Sequence, residues 1–444
     1  MRGSRVKHVA VARTDRLVEP LGMRPWLIVA VLFLVQMANW VDKTVVSLAA
    51  NEIMAEFHLS TEEYGMIGGA FFSLYAITGL FVAFVMAPRF QARKILMVLL
   101  LCWSVVQIPV AIVASFPVLI VSRILLGMGE GAATPTTLNC AHEWFPDKAR
   151  GMPSAVIIFG ATAGAMIAAP ALTAIIQDHG WRMAFLACAA FGMIVLTLWL
   201  LVSRPAPYAA AIANRDGRQA PAEPGMARRL WSDPTLIGVT IVGMMAYWIT
   251  GFQVSWLAPY LMGLAGDPQR GAWILAIILG CQAASVIGLT FISQAMLNRG
   301  LSSRVARGGF MGLAMAVGGL CLSLIPFAPS PTWAIVLVGI TMSVYGIASP
   351  MYASIISEVT PVAERNRVMT VILSILTLAA IPSSIVTGYL IEAIGWAEAV
   401  AMNGMAAFIG AAACFFLIDP ARSKARLEPR VAETVPDKKA ARST

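Results

Sequence analysis

Apolar residues gather into twelve long runs separated by short polar gaps. The runs cover 25–49, 63–87, 94–114, 117–141, 151–176, 182–202, 234–262, 271–297, 305–325, 332–357, 366–391 and 395–418. Each is long enough, at about 1.5 Å per helical residue, to cross about 30 Å of hydrocarbon. The pattern predicts an all-α membrane protein of twelve transmembrane helices. Glycine and proline inside several runs, such as Gly160, Gly164 and Pro170, fit this reading, because membrane helices tolerate both and use them for close or kinked packing.

The longest polar gap, 203–233, holds Pro205, Pro207, Asn214, Gly217, Pro221, Pro224 and Gly225. That composition predicts a flexible linker dividing the chain into two halves of six helices. The expected organisation is an N-tail at 1–24, a first bundle at 25–202, the linker, a second bundle at 234–418 and a C-tail at 419–444. The halves also repeat each other. Glu143, Pro146 and Arg150 recur in spacing as Glu358, Pro361 and Arg365. Gly180-Trp181 recurs as Gly395-Trp396. Both matches fall at an offset of 215 residues, which argues for an internal duplication. Parallel six-helix halves around a site at the bilayer midplane are a transporter architecture.

Composition supports the membrane reading and narrows it. Of 444 residues, 59% are hydrophobic and only 12% charged, about half the charged share of a soluble domain. Disorder is excluded, and a large soluble enzyme lacks the polar surface it would need. The net charge of +9 shows no basic stripe of the kind that binds nucleic acid. It follows topology instead. Of the 32 Lys and Arg, 28 lie in the tails and alternate gaps on one side, and only Arg182 and Arg270 lie on the other. The positive-inside rule then places both termini in the cytoplasm. Residues 1–24 are polar, and the run from Trp26 continues into a full span, so a retained first helix is expected rather than a cleaved signal. The six cysteines are scattered without metal-ligand or disulfide spacing, and the four histidines fall in tails or near helix ends. No cofactor, metal site or catalytic constellation is indicated.

Four ionisable residues lie deep in the runs: Asp42, Lys43, Arg123 and Glu130. Each costs about 2.5–3.5 kcal/mol at a helix centre on translocon scales. Arg123 and Glu130, seven apart, share one helix face two turns apart. One reading is a pair of interhelical salt bridges joining the first and fourth spans. The other is chemical. Arg123 keeps its proton and offers a planar fork to a carboxylate, so it is the first choice for an anionic substrate. Lys43 supplies a second positive charge, without the fork. Asp42 and Glu130 can each take a proton, which would free the cation beside it. The second half carries no midspan charge. Tyr247, Trp248, Gln253, Trp256, Gln282, Tyr345, Tyr352, Ser383 and Ser384 are its candidates for a cavity wall. Tyr247 and Gln253 are the two selected as substrate-binding.

The segments Asn39-Trp40-Val41-Asp42-Lys43 and Arg123-Ile124-Leu125-Leu126-Gly127-Met128-Gly129-Glu130 resemble the N-Y-x-D-R and R-x-L-L-G-x-G-E motifs of the anion:cation symporter family. That family comprises bacterial sugar-acid and aromatic-acid permeases within the major facilitator superfamily. The resemblance covers 25–418. It implies a pseudo-symmetric pair of six-helix bundles in the bacterial inner membrane and the same roles at the four charged positions. It also marks Tyr75 as a pocket residue. The loop Phe84-Val85-Met86-Ala87-Pro88-Arg89-Phe90-Gln91-Ala92-Arg93-Lys94 departs from the superfamily's G-x3-D-R-x-G-R-K, with Pro88 where the acid stands. That puts the usual charge latch of the cytoplasmic gate in doubt, and leaves the fold untouched.

The expected function is import of a small organic anion with protons by alternating access, the protein working as a monomer. The empty site balances two cations against two carboxylates. An added anion therefore calls for at least one proton, with sodium the weaker choice. An exporter or exchanger of organic anions or amphipathic drugs on the same fold is the alternative. A phosphate-ester exchanger is disfavoured because no Lys or Arg occurs between Thr235 and Met262.

Overall fold

The computed structural model describes residues 22–113, 115–208, 225–361 and 364–427. Within them, twelve helices are long and apolar enough to span a membrane. They are α1 Met23–Leu48, α2 Thr61–Met86, α3 Ala92–Ile112, α4 Phe116–His142, α5 Gly151–His179, α6 Trp181–Val202, α7 Pro234–Ser255, α8 Pro268–Asn298, α9 Arg304–Ser323, α10 Pro331–Val359, α11 Arg365–Ile394 and α12 Trp396–Leu417. No strand occurs among the described residues. Residues 1–21, 209–224 and 428–444 of the expected tails and linker lie outside the description.

The helices start where local chemistry supplies caps. Ser60 and Glu63 form a reciprocal capping box before α2. Asp233 and Asp267 accept backbone N–H groups at the starts of α7 and α8, and each is followed by a proline at the first helical position. Proline there loses no hydrogen bond, since that N–H has no helical partner. The main departure from expectation is α7, which stops at Ser255 rather than running to 262. Trp256 leaves the helical conformation, and a separate helix, Leu257–Ala265, follows. Pro259 has no N–H to give to the carbonyl of Ser255, so the original ladder breaks there.

The two halves repeat in structure as well as in sequence. The α5–α6 and α11–α12 corners turn at Gly180 (φ 82°) and Gly395 (φ 94°), 215 residues apart. A side chain at either would be strained. Both α4 and α10 break mid-span, between Glu130 and Ala133 and between Tyr345 and Ala348, again 215 apart. Within the first bundle α1 packs on α5, α2 on α4 and α3 on α6. In the second, α12 packs on α7 and α9. The bundles meet mainly through α2 with α11 and α5 with α8.

An even number of crossings puts residues 22 and 427 at one end of the molecule, the tail end. At the far end the buried core is continuous across both bundles. Tyr64, Leu119 and Phe185 belong to the same cluster as Trp256, Leu275 and Met342. Toward the tail end the core separates. One cluster surrounds Leu32, Trp103 and Trp199, almost wholly in the first bundle. Another surrounds Val239, Met315 and Ile356 in the second.

Candidate functional site

The site begins with a polar stripe on an otherwise apolar helix. Gln36, Asn39, Trp40 and Lys43 follow one another on α1 at offsets of three, four and seven, which keeps them on one face. Glu130 and Thr134 face them from α4. The Lys43 ammonium lies 3.0 Å from Glu130 Oε2 and donates to Asn39 Oδ1 at 2.5 Å. Three rings surround it, with centroids at 5.3 Å (Trp40), 5.8 Å (Phe71) and 5.6 Å (Tyr75). Glu130 is fully buried and Lys43 is 8% exposed. An ammonium so placed is held by one carboxylate, one amide and the negative faces of aromatic rings. It therefore keeps a hold on the protein if the carboxylate is neutralised.

The glycines of the α4 segment explain how α2 comes so close. A Cβ at Gly127 would overlap the carbonyl of Phe71, and one at Gly131 would overlap the carbonyl of Tyr75. Only glycine at these two positions lets the ring-bearing turn of α2 press against the α4 backbone beside Lys43. Gly129 is tight against Trp103 of α3, where a Cβ would lie 3.3 Å from the backbone nitrogen.

Arg123 and Asp42 form a second cluster: Asp42 adjoins Lys43 on α1 but points to another face, and Arg123 lies about two turns beyond Glu130 toward the far end. Arg123 is 2% exposed. Its Nη2 donates to Gln107 Oε1 at 2.8 Å, and its guanidinium carbon sits 5.3 Å from the centre of the Phe185 ring. Asp42, also buried, lies beside Gln107 and Cys188 and interacts electrostatically with Arg123. Gln107 thus stands between cation and carboxylate. It is a lone amide in the apolar run of α3, and that isolation was the signal in the sequence that would have singled it out.

The second bundle supplies a neutral polar wall. Tyr247 interacts with Tyr75 of the first bundle and with Tyr345 and Tyr352 of its own. The Tyr345 hydroxyl donates to Gln253 Oε1, and Gln253 Nε2 donates to Gln282 Oε1 at 3.3 Å. Trp248 Nε1 donates to Asn403 Oδ1 at 2.9 Å. The candidate residues therefore divide. Lys43 and Tyr75 stand on the first-bundle side, with Tyr247 in electrostatic range of Tyr75 and Tyr345, and Tyr345 hydrogen-bonded to Gln253. Arg123 lies nearer the far end, in electrostatic range of Asp42. Trp256, Ser383 and Ser384 are packing elements: Trp256 Nε1 donates to the Ser384 carbonyl at 2.9 Å, and the Ser383 hydroxyl donates to the Trp248 carbonyl at 2.5 Å.

The far end above the site is closed. The Thr61 hydroxyl of α2 donates to the Gly388 carbonyl of α11 at 2.7 Å. The Tyr64 and Trp256 rings meet edge to face at 5.0 Å. Gln269 Nε2 donates to the Pro170 carbonyl at 3.2 Å, joining α8 to α5. Nearer the tail end α2 and α11 still approach each other: a Cβ at Gly79 would lie 3.8 Å from Ser374 Oγ, an ordinary van der Waals contact.

The amino-acid sequence matches the Major Facilitator Superfamily over residues 32–382 and 300–442. The chain belongs to this superfamily. It is 27% identical over 409 residues to a probable sulfoacetate transporter of Cupriavidus necator, covering 88% of this chain and 93% of that protein. It is 24% identical over 388 residues to a hexuronate transporter of Bacillus subtilis, covering 83% and 88%. Among solved structures, it is similar to an inward-facing, occupied bacterial homologue of the human lysosomal transporter Spinster. The TM-score is 0.75 at 18% identity, covering 92% of this chain and 99% of that one. A D-xylose–proton symporter superposes with a TM-score of 0.72 at 15% identity, covering 90% and 99%.

As a major facilitator protein the chain is a multi-pass membrane transporter and not an enzyme. In the second bundle the repeated acid Glu358 accepts from Arg307 at 2.5 Å and from Ser303 at 2.6 Å. Its counterpart Glu143 is partly opposed by Arg93. Burial pushes its carboxyl above the usual carboxylate range.

Proposed function

We propose that this protein is a secondary transporter that carries a small organic anion inward together with protons, by alternating access. The single observation that carries the reading is the Lys43–Glu130 pair. It is a buried ion pair between α1 and α4, ringed by Trp40, Phe71 and Tyr75, the last in electrostatic range of Tyr247 of the other half. A buried pair contributes little to stability against a well-packed apolar alternative, whereas protonation of Glu130 would release Lys43 to an incoming carboxylate or sulfonate. The cargoes for which these relatives are named, sulfoacetate and hexuronate, support an organic acid as cargo. Lys43 is the cation we assign to first contact in this conformation, with Tyr75, Tyr247 and Gln253 around the rest of the molecule. Arg123 becomes reachable once the far-end layer parts, and Asp42 titrates beside it.

The closed far end supports a state open toward the tails, which the charge asymmetry places in the cytoplasm. Protons are preferred to sodium because the site offers carboxylates beside cations rather than a cage of oxygen ligands. We take the working unit to be the monomer, since the proposed site uses residues of one chain. The test is uptake of labelled glucuronate, sulfoacetate and benzoate into proteoliposomes, with and without an inward proton gradient. Accumulation of at least one of them that collapses with a protonophore is expected. Gradient-independent equilibration of all three, or none taken up, would overturn the reading.

A further inference from the structure

The seam between α1 and α4 carries more polar groups than the two ion pairs need. Gln36 is 1% exposed and Asn39 is fully buried. Gln36 Nε2 donates to Thr134 Oγ1 at 3.1 Å, while Gln36 Oε1 has no partner. Asn39 Oδ1 is taken by Lys43, and its Nδ2, turned toward Glu130, makes no hydrogen bond. Both Glu130 oxygens lack a hydrogen-bond donor of good geometry, although Lys43 stands 3.0 Å from one of them. In order along the seam stand Thr134, Gln36, Asn39 and Glu130, from the tail-end side toward the centre. Thr134 is half-buried and the other three are buried, so within this row exposed surface occurs at the tail-end member. Buried polar atoms left unpaired are costly, and polar pockets of this kind hold ordered water.

We propose that Gln36 and Thr134 form, with bound water, a proton path between Glu130 and the tail-end solvent. This rests on the coupling role proposed above for Glu130. The step is a simple transfer. The Glu130 carboxylic acid breaks its O–H bond and gives the proton to a water accepted by Gln36 Oε1. That water passes a proton to the next, hydrogen-bonded at the Thr134 hydroxyl, and the excess proton leaves to bulk water. Glu130 remains as a carboxylate paired with Lys43. Gln36 and Thr134 are positioning residues: they orient water and neither gains nor loses a proton.

The test is an infrared pH jump on the protein in liposomes, which needs no substrate, on wild type, Gln36→Leu, Thr134→Val, Thr134→Ser and Glu130→Gln. Wild type is expected to lose a carboxylic-acid band that is missing from Glu130→Gln. Gln36→Leu and Thr134→Val should lose it at least tenfold more slowly with the same end point, and Thr134→Ser should match wild type. Gln36→Leu and Thr134→Val should also slow gradient-driven accumulation, and Thr134→Ser should not. Unchanged band kinetics in Gln36→Leu and Thr134→Val would overturn the path. If Glu130→Gln keeps the band and keeps gradient-driven accumulation, Glu130 does not couple, and it is the underlying reading that fails.

Discussion

Lys43 and Arg123 hold the same charge and occupy different environments, and that difference is the residue-scale content of the site. Lys43 has one carboxylate, one amide and three rings around a compact ammonium. Arg123 has its fork spent on Gln107 and its face on Phe185. Removing Lys43 strands Glu130 without its counter-ion. A broken buried pair costs about 3–5 kcal/mol when the remaining charge cannot neutralise itself. Lys43→Ala should therefore lose substrate affinity by a hundredfold or more and unfold at lower temperature, whereas Lys43→Ala combined with Glu130→Gln should recover thermal stability but not binding. Thermal unfolding and equilibrium binding on the same preparations check both. Lys43→Arg keeps the charge and should retain transport with altered affinity. Arg123→Ala should abolish transport, and Arg123→Lys, which cannot reproduce the fork toward Gln107, should restore little of it.

At the scale of elements, the helices were legible in the sequence because their cause is local. A run of apolar residues must become a helix in lipid whatever its neighbours do. Boundaries held to a few residues except at α7, where Pro259 acts on the carbonyl of Ser255 four residues earlier. The four charged residues were equally legible, since a charge amid apolar residues stands out in one dimension. Their partners were not. Gln107, Phe185 and Cys188 come from other helices, and nothing in the α1 or α4 segments names them. The division of the cations into two layers also depends on tilt and packing. The glycines Gly127 and Gly131 were visible as a motif, but their purpose, the close approach of α2, needed the third dimension.

The far-end closure gives two predictions at this scale. Gly65 lies on α2, where a Cβ would sit 2.6 Å from the Ser384 carbonyl of α11. Gly65→Leu should wedge the bundles apart at that end. Spin labels at His179 and Glu392, one on each bundle, should report a longer mean distance than in the parent. An unchanged distance would mean that the contact is not part of the gate. The Glu56–Arg182 pair, which also takes in the Trp181 indole at 2.8 Å, ties the Ala50–Phe57 helix to α6. The hydrogen bond from Arg182 holds the Glu56 carboxyl below its ordinary value. A depressed carboxyl stabilises the fold above the unfolded value and loses that contribution as pH falls through the folded one. Acid should therefore loosen this corner, and hydrogen exchange of the Ala50–Phe57 amides should rise below the ordinary carboxylate range in the parent but not in Glu56→Gln.

For the whole molecule the central claim is that two bundles exchange access to one site while a carboxylate in the first bundle carries the proton. The far-end core shared by both bundles and the divided tail-end cores support one of the two states required. On the proposed reading, the neutral site, with two cations and two carboxylates, calls for a proton with each anion. If two protons accompany each monoanion, each cycle moves one positive charge inward and gains about 2.3 kcal/mol per 100 mV. The repeat at 215 residues is retained in the backbone, at the Gly180 and Gly395 corners and the mid-span breaks of α4 and α10. The charges are confined to the first copy. The measurement that tests the claim most directly compares gradient-driven accumulation with counterflow in the same vesicles for wild type and Glu130→Gln. Glu130→Gln fixes the protonated form and should abolish uphill accumulation while exchange persists within about threefold of wild type. Full gradient-driven accumulation in Glu130→Gln would contradict the account and leave the Lys43–Glu130 pair as a structural tie.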